Sequence, residues 1–371
     1  MAVPFIDLSR LVKHVRGDVL AAWTECLDKC EFVGGPRVGA LEKKLGGVLG
    51  VPHVVSCANG TDALLIALQA AGVKAGTKVA LPNLTFWATF EAVVQLGATP
   101  VLIDIDPDDL QLSFDELKKA HDAHRFEAVL LVHLYGWASG RLEEFRVFCK
   151  ERNVALVEDG AQCFGVVVHD TPVLSRAAFG TLSFYPAKVI GGAMDGGAIT
   201  MQTAESEKLV RSLCNHGRAE HYSYAHVGWN SRMGGLQGAF LGRVLDELPA
   251  ILESRRAAAR FYRERFAGDK RLRVYGPPPG IVENGYLNVM TVHGKKGQDV
   301  VDALKTKGIG SARTYPETMD VQPPAKAAGA IAFGELRHGK RICESVVNLP
   351  LFYGIERSEL EASADALLAV I

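Results

Sequence analysis

Between about residues 53 and 200, short runs rich in β-branched residues alternate with segments of helical period. This alternation constrains the chain more than any other feature in it. Seven runs read as strands: His53–Ser56, Lys78–Leu81, Pro100–Ile105, Ala128–Val132, Val154–Glu158, Leu182–Phe184 and Ala198–Met201. Between them Ala63–Ala70, Thr89–Gln95, Ser113–Ala120 and Leu142–Arg152 carry helical spacing, the third opened by the capping box Ser113-x-x-Glu116. Strands joined through crossover helices lie parallel in one sheet with the helices packed on its faces. The expected architecture is α/β, with a central, mostly parallel, seven-stranded sheet flanked by helices.

Beyond Gly238 the texture changes. Ala239–Phe266 is helical and charged, with an interruption near Pro249, and Tyr275–Gly280 is a turn-rich break. Shorter strand candidates follow at Leu287–Val292 and Val346–Leu349, with helices at Gln298–Lys307 and Ser358–Ile371. The chain of 371 residues therefore reads as a large α/β domain over 13–245 and a smaller C-terminal α+β domain over 246–371, joined by an N-terminal arm, 1–12.

Charge and motifs remove several classes of function. Lys plus Arg number 41 against 42 Asp plus Glu, so there is no basic field to hold nucleic acid. No apolar run approaches the ~18 residues of a membrane span, and Asp7 and Arg10 interrupt the N-terminus before a secretory h-region could form. The expected location is the cytoplasm, where the seven scattered cysteines would stay reduced. Neither a P-loop nor a G-x-G-x-x-G after a strand occurs. His216, His221 and His226 recur every fifth residue, which matches no zinc signature, so no metal is expected.

Lys188 is the only charged residue in the apolar and glycine-rich run from Ala177 to Met194. It is either snorkelling or chemically employed. It follows a predicted buried strand and precedes Gly191-Gly192 and Gly196-Gly197, where the backbone can approach a ligand closely, and a desolvated lysine is a nucleophilic amine. Glu158-Asp159-Gly160-Ala161-Gln162 places carboxylates at a strand's C-terminal end, where open α/β sheets hold ligands. Asn59-Gly60-Thr61-Asp62 lies between a strand and a helix, and is either a simple N-cap or a phosphate seat. Together, a phosphate seat, a carboxylate and a lone lysine in that order describe a site for pyridoxal 5'-phosphate (PLP).

Eight segments in order carry a family resemblance: Phe32–Pro36, Ala58–Leu64, Thr85–Thr89, His133–Gly136, Glu158–Gln162, Ser183–Lys188, Asp195–Ile199 and Trp229–Arg232. On these the chain resembles the DegT/DnrJ-type sugar-nucleotide aminotransferases, a branch of the fold type I PLP enzymes, over nearly its whole length. The resemblance implies that Lys188 bonds the cofactor covalently, Asp159 pairs with the ring nitrogen, Gln162 lies near the ring hydroxyl and Phe86 stacks on the ring. It gives Gly60, Thr61 and Ser183 to the phosphate, with Asn230 reaching it from the neighbouring subunit of a homodimer. Some members carry histidine in place of the lysine and dehydrate sugars, so Lys188 points to transamination.

Within the family the likeness is to enzymes that aminate the 3-keto form of a UDP-linked N-acetylglucosamine or its uronic acid, carried by Ser56–Asp62, Asn215–Arg218 and Asn230–Arg232. The implied partners are that keto-sugar and L-glutamate with its product 2-oxoglutarate, and the implied setting is lipopolysaccharide or other cell-surface amino-sugar synthesis. Arg232, Arg313 and Tyr315 are the candidate substrate contacts. The chain departs from the family where the sugar nucleotide would sit: Gly234-Gly235 stand for an acidic pair, Thr314-Tyr315-Pro316 for His-Tyr-Pro, and Trp137 for a glutamine. The alternatives are a 4-keto-6-deoxy sugar as acceptor, a PLP-dependent dehydratase or lyase, and a non-catalytic sensor on the same fold.

Overall fold

The computed structural model describes residues 2–371. Its main sheet runs in the order His53–Cys57, Gly197–Met201, Phe179–Ser183, Ala155–Asp159, Ala128–Val132, Lys78–Pro82, Thr99–Ile103, Ile331–Ala332. Gly197–Met201 is antiparallel to both its neighbours, and every other pairing is parallel. This is the mostly parallel α/β sheet expected, with an eighth strand. The extra strand is two residues long and comes from the far C-terminal part of the chain, so its β signal was too short to read. Phe179–Ser183 also starts earlier than the expected Leu182, because Gly180 hid the alternation.

Both faces of the sheet are covered, as a parallel sheet requires. Val101, Ile103, Val129 and Leu131 belong to the apolar cluster on one side, while Val79, Leu81, Leu102, Leu130 and Val157 belong to that on the other. Successive side chains of a strand point to opposite faces, which divides these continuous apolar runs between two cores. The connecting helices form close to their expected places: Gly60–Ala70, Trp87–Gln95, Phe114–His124 and Leu142–Glu151. Ser113 caps the third by accepting from the Glu116 amide. The glutamate does not complete the box, since its carboxylate pairs instead with Lys119.

The C-terminal part forms a second sheet of Leu272–Tyr275, Val289–Val292 and Val346–Val347, covered by helices Gly297–Thr306 and Arg357–Val370 around Met290, Leu304 and Leu367. Helix Leu248–Arg265 joins the two parts of the molecule. Its Ile251 and Leu252 pack into the main core, and its Ala258 and Tyr262 into the second. The N-terminal arm is tied to the C-terminal part at two points. Val3 bridges Ile309, and Arg10 pairs with Glu359 at 2.6 Å. No helix among the described residues is long and apolar enough to cross a membrane.

Candidate active site

A cavity of about 810 Å³ opens where the C-terminal ends of the parallel strands meet the C-terminal part of the chain. Its lining includes Gly60, Thr61, Phe86, Asp159, Gln162, Ser183, Lys188 and Tyr315. It is thus the fold that brings together residues spread over more than 250 positions of sequence. Ligands of open α/β sheets bind at this edge because the strand ends and helix N-termini converge there.

At one end, helix Gly60–Ala70 begins with Asn59, whose side chain accepts from the Asp62 amide at 2.8 Å. The amides of its first turn have no preceding carbonyl to bond, and the helix dipole makes this a seat for an anion. Gly60 is packed so closely that a Cβ there would lie 2.6 Å from the Ser183 Cβ. Backbone amides and the Ser183 hydroxyl can therefore approach one phosphate together.

Asp159 stands at the end of Ala155–Asp159 and is only 4% exposed. Its carboxylate accepts from the Ala161 amide at 3.0 Å and the Thr89 hydroxyl at 3.3 Å. Burial pushes its pKa above the ordinary carboxylate value, and the Ala161 bond and the Lys188 charge offset only part of this. A cationic ring nitrogen supplies the compensation that such a carboxylate needs. The adjacent Glu158 points to the opposite face, where His133 bonds it at 3.0 Å and Arg146 grips both its oxygens at 2.9 Å. Of the two carboxylates that the sequence places at this strand end, one serves the cavity and the other the core.

Gln162 is held by both ends of its amide. Its oxygen accepts from the Tyr135 amide at 2.6 Å and its nitrogen donates to the Tyr315 hydroxyl at 2.8 Å. Lys188 sits in the loop after Phe179–Ser183, its Nζ 3.4 Å from the Tyr286 hydroxyl and 5.0 Å from the centre of that ring. Gln237 fixes the glycine-rich continuation of this loop, accepting from the Ala193 amide at 3.1 Å and donating to Met194 O at 2.7 Å. A Cβ on Gly192 would lie 1.9 Å from the Gln237 amide nitrogen and 2.9 Å from Met194 O, so a larger residue would displace the Gln237 amide that fixes the loop. The Phe86 ring forms part of the wall, 6.1 Å from that of Tyr315.

Arg313 and Arg232, expected to touch substrate, lie outside this cavity, as does Asn230, which is expected to serve the neighbouring subunit. Arg313 does not line this cavity: it faces a separate one with Arg273, Lys295 and Arg341, and it donates to Cys343 O at 2.6 Å in the last turn of helix Arg337–Ser345. A guanidinium at a helix C-terminus satisfies a free carbonyl, which accounts for Arg313 as a structural cap. Arg232 and Asn230 do not line the cavity of their own chain either. Arg232 bonds the side chains of Asn215 and Asn230, and both Arg232 and Asn230 are exposed. Conversely, the cavity contains residues that the sequence did not single out: Phe5 and Ile6 from the arm, Arg255 from the joining helix, Tyr286 and Leu351. None of these sits in a motif, and only the pairing of the arm with the C-terminal part brings Phe5 here.

A phosphate seat, a buried carboxylate, an oriented amide and a lysine in one cavity of a mostly parallel α/β fold fit PLP at each position. The fold and site define a PLP-dependent enzyme of fold type I. The family model for the DegT/DnrJ/EryC1/StrS aminotransferases matches residues 14–368. The chain belongs to that family and is a PLP-dependent sugar aminotransferase. It is 31% identical over 369 residues to the UDP-N-acetyl-3-dehydro-alpha-D-glucosamine 3-aminotransferase of Acidithiobacillus ferrooxidans, covering 99% of this chain and 97% of the relative. It is 30% identical to the UDP-2-acetamido-2-deoxy-3-oxo-D-glucuronate aminotransferase of Pseudomonas aeruginosa, over 98% of this chain and 99% of that one. The crystal structure of NtdA from Bacillus subtilis with bound cofactor PMP superimposes with a TM-score of 0.90 at 26% identity, covering all of this chain and 85% of the other.

Proposed function

We propose that this enzyme moves the amino group of L-glutamate to the C3 keto group of a UDP-linked 2-acetamido-2-deoxy-3-keto-glucose or its uronic acid, releasing 2-oxoglutarate. The observation that carries the chemistry is the meeting of Lys188 and the buried Asp159 in one cavity. The acceptor rests on the two relatives at 31% and 30% identity, both named for amination of a UDP-linked 3-keto sugar. The product would enter lipopolysaccharide or other cell-surface amino sugars, made in the cytoplasm.

Bound here, the cofactor supplies an electron sink for the carbon that gains or loses a proton. Asp159 keeps the ring nitrogen protonated, each pK unit of that preference being worth about 1.4 kcal/mol. The Lys188 Nζ would hold the cofactor covalently, and as a free amine would move the proton from the donor's α-carbon, work worth on the order of 10²- to 10⁴-fold in rate. Gly60, Thr61 and Ser183 hold the phosphate, Gln162 orients the ring through its hydroxyl, and Phe86 covers one ring face.

The active unit is a homodimer in which Asn230 and Arg232 serve the neighbouring subunit's site. Their exposure supports this, as do the exposed apolar side chains of Phe32, Val33, Val227 and Trp229 in or beside two of the segments that resemble the family.

Enzyme converted to its pyridoxamine form should aminate a UDP-3-keto-N-acetylglucosamine or the matching uronate and leave 4-keto-6-deoxy nucleotide sugars untouched. Preferential use of the 4-keto sugars would remove the acceptor assignment, and failure of glutamate to generate the pyridoxamine form would remove the donor.

A further inference from the structure

The separate cavity that Arg313 faces has a volume of about 900 Å³ and shares no wall residue with the active site. Its wall is made by strands Leu272–Tyr275 and Val289–Val292, the turn that follows the second of them, the start of helix Gly297–Thr306, and helix Arg337–Ser345. Arg313 stands on this wall, while the next two residues, Thr314 and Tyr315, stand on that of the active site. Five cations line the cavity, Arg273, Lys295, Lys296, Arg313 and Arg341, against one carboxylate, Glu344.

Elsewhere surface arginines of this chain pair with carboxylates. Arg141 bonds Asp115 and Glu144, Arg211 bonds Glu42 and Glu207, and Arg243 bonds Asp18 and Glu247. In this cavity only Arg273 does so, with Asp108 at 2.9 Å. Arg313 donates to the carbonyl oxygens of Pro316 and Cys343, and Lys295 to that of Val370; these neutral acceptors leave the charges uncompensated. On helix Arg337–Ser345, Arg337 and Lys340 pair with Glu335 and Asp320, whereas Arg341, like Lys296, has no ion-pair partner among the described residues. Lys296 is also the N-cap of helix Gly297–Thr306, and its side chain caps nothing. The helix dipole already makes that end positive, so a lysine adds like charge where serine or aspartate is usual. Arg313 is fixed against the same helix start, where a Cβ on Gly297 would lie 3.2 Å from its Nε. Asp299 is the acidic residue of that first turn, and it is not on the wall.

We propose that this second cavity binds the diphosphate group of a small ligand, at a site separate from the cofactor's phosphate seat. Like charges gathered around one concavity repel each other, and a bound anion relieves that repulsion. Four cations without a carboxylate partner match an anion with several charges, which a lone carboxylate or a monophosphate supplies only in part. The helix start suits one phosphate, and the planar guanidinium forks of Arg313 and Arg341 suit the other. The cations are confined to one concavity of a chain whose net charge is −1, which fits a small ligand and not nucleic acid.

The test is calorimetric titration of PLP-loaded holoenzyme with inorganic pyrophosphate, at constant ionic strength and with a metal chelator present, beside titrations with inorganic phosphate, citrate and ADP. One pyrophosphate should bind per chain, roughly ten-fold or more tighter than phosphate or citrate. The double variant Lys296→Ala/Arg341→Ala should weaken pyrophosphate by about ten-fold or more while leaving cofactor content and the cofactor's absorbance unchanged. Neither side chain is held by a carboxylate, so the melting temperature should not fall, and Lys296→Glu alone gives the same reading if the double variant does not fold. ADP that binds tighter than pyrophosphate and weakens in the same variant would assign the site to a nucleotide, and equal or weaker ADP binding would assign it to free pyrophosphate. No binding by the wild type, or equal affinity for pyrophosphate, phosphate and citrate, would overturn the proposal. So would pyrophosphate affinity unchanged in both variants, which would place the anion in the active site.

Discussion

On the sheet side of the cavity, Asn59, Asp159, Gln162, Ser183 and Lys188 each lie at a strand's C-terminal end or within five residues of one. On the opposite side, Phe5, Arg255, Tyr286, Tyr315 and Leu351 come from the arm, the joining helix and loops of the C-terminal part. The first group is built by local geometry repeated strand after strand, so its residues stand inside short motifs. The second group is built by long-range packing, and of its members only Tyr315 stands in a segment that the sequence singled out. Fixed strand ends carry the first wall of the cavity, whereas the second sits on segments whose positions depend on the whole fold.

The largest effect should come from the sheet side. Lys188→Ala is expected to abolish turnover and covalent attachment of the cofactor, while PLP remains bound noncovalently through Gly60, Thr61, Ser183 and the ring contacts. Mass spectrometry after borohydride reduction reads the attachment directly. Retained turnover with an intact covalent link would place the reactive lysine elsewhere and break the contrast between the two sides.

Asp159 and Glu158 sharpen the comparison within a single strand. Asp159→Asn should cut the rate roughly 10- to 1,000-fold, the equivalent of one to three pK units of ring protonation. The apo protein should stay within about 1 kcal/mol of wild type, because a carboxylate whose folded pKa is raised costs stability once ionised. Glu158→Gln should do the reverse. Burial pushes the Glu158 pKa up, but bonds from His133 and Arg146 outweigh it and hold it below the ordinary value. A lowered folded pKa contributes stability that is present above the ordinary carboxylate range and lost as pH falls through and below it. Breaking such a buried pair costs about 3–5 kcal/mol at neutral pH, and the gap to wild type should close toward acid. Denaturant unfolding of both variants at pH 7 and near pH 4 checks the signs, and a stability loss for Asp159→Asn larger than that for Glu158→Gln would contradict them.

The smallest effect belongs to the far side. Phe5→Ala should raise KM for the keto-sugar about five-fold, equivalent to roughly 1 kcal/mol of lost apolar contact, with the cofactor spectrum unchanged. A changed spectrum with unchanged KM would assign the arm to the cofactor instead.

How far each part could be read in advance follows from the range of the interactions that place it. The seven long strands of the main sheet were legible because β-branched runs and crossover helices are local patterns. The eighth, Ile331–Ala332, was not, because two residues carry no period and only their docking beside Thr99–Ile103 makes them a strand. Arg313 and Arg255 mark the same limit at the site. Both are arginines in unremarkable local sequence, and Arg313, which looked available for a substrate, caps a helix by donating to Cys343 O. Arg255, in a charged helix with nothing to distinguish it, becomes a buried cation beside Lys188 only because that helix spans two cores.

By itself the sequence made the parallel sheet and the cofactor legible and put forward candidate residues to hold it, since strand period, helix starts and family motifs are properties of short segments. Only the tertiary structure decided which of two adjacent carboxylates enters the cavity, which arginines face it and that the N-terminal arm forms part of its wall. These outcomes depend on which surfaces are buried against each other, and burial is set by contacts between residues hundreds of positions apart.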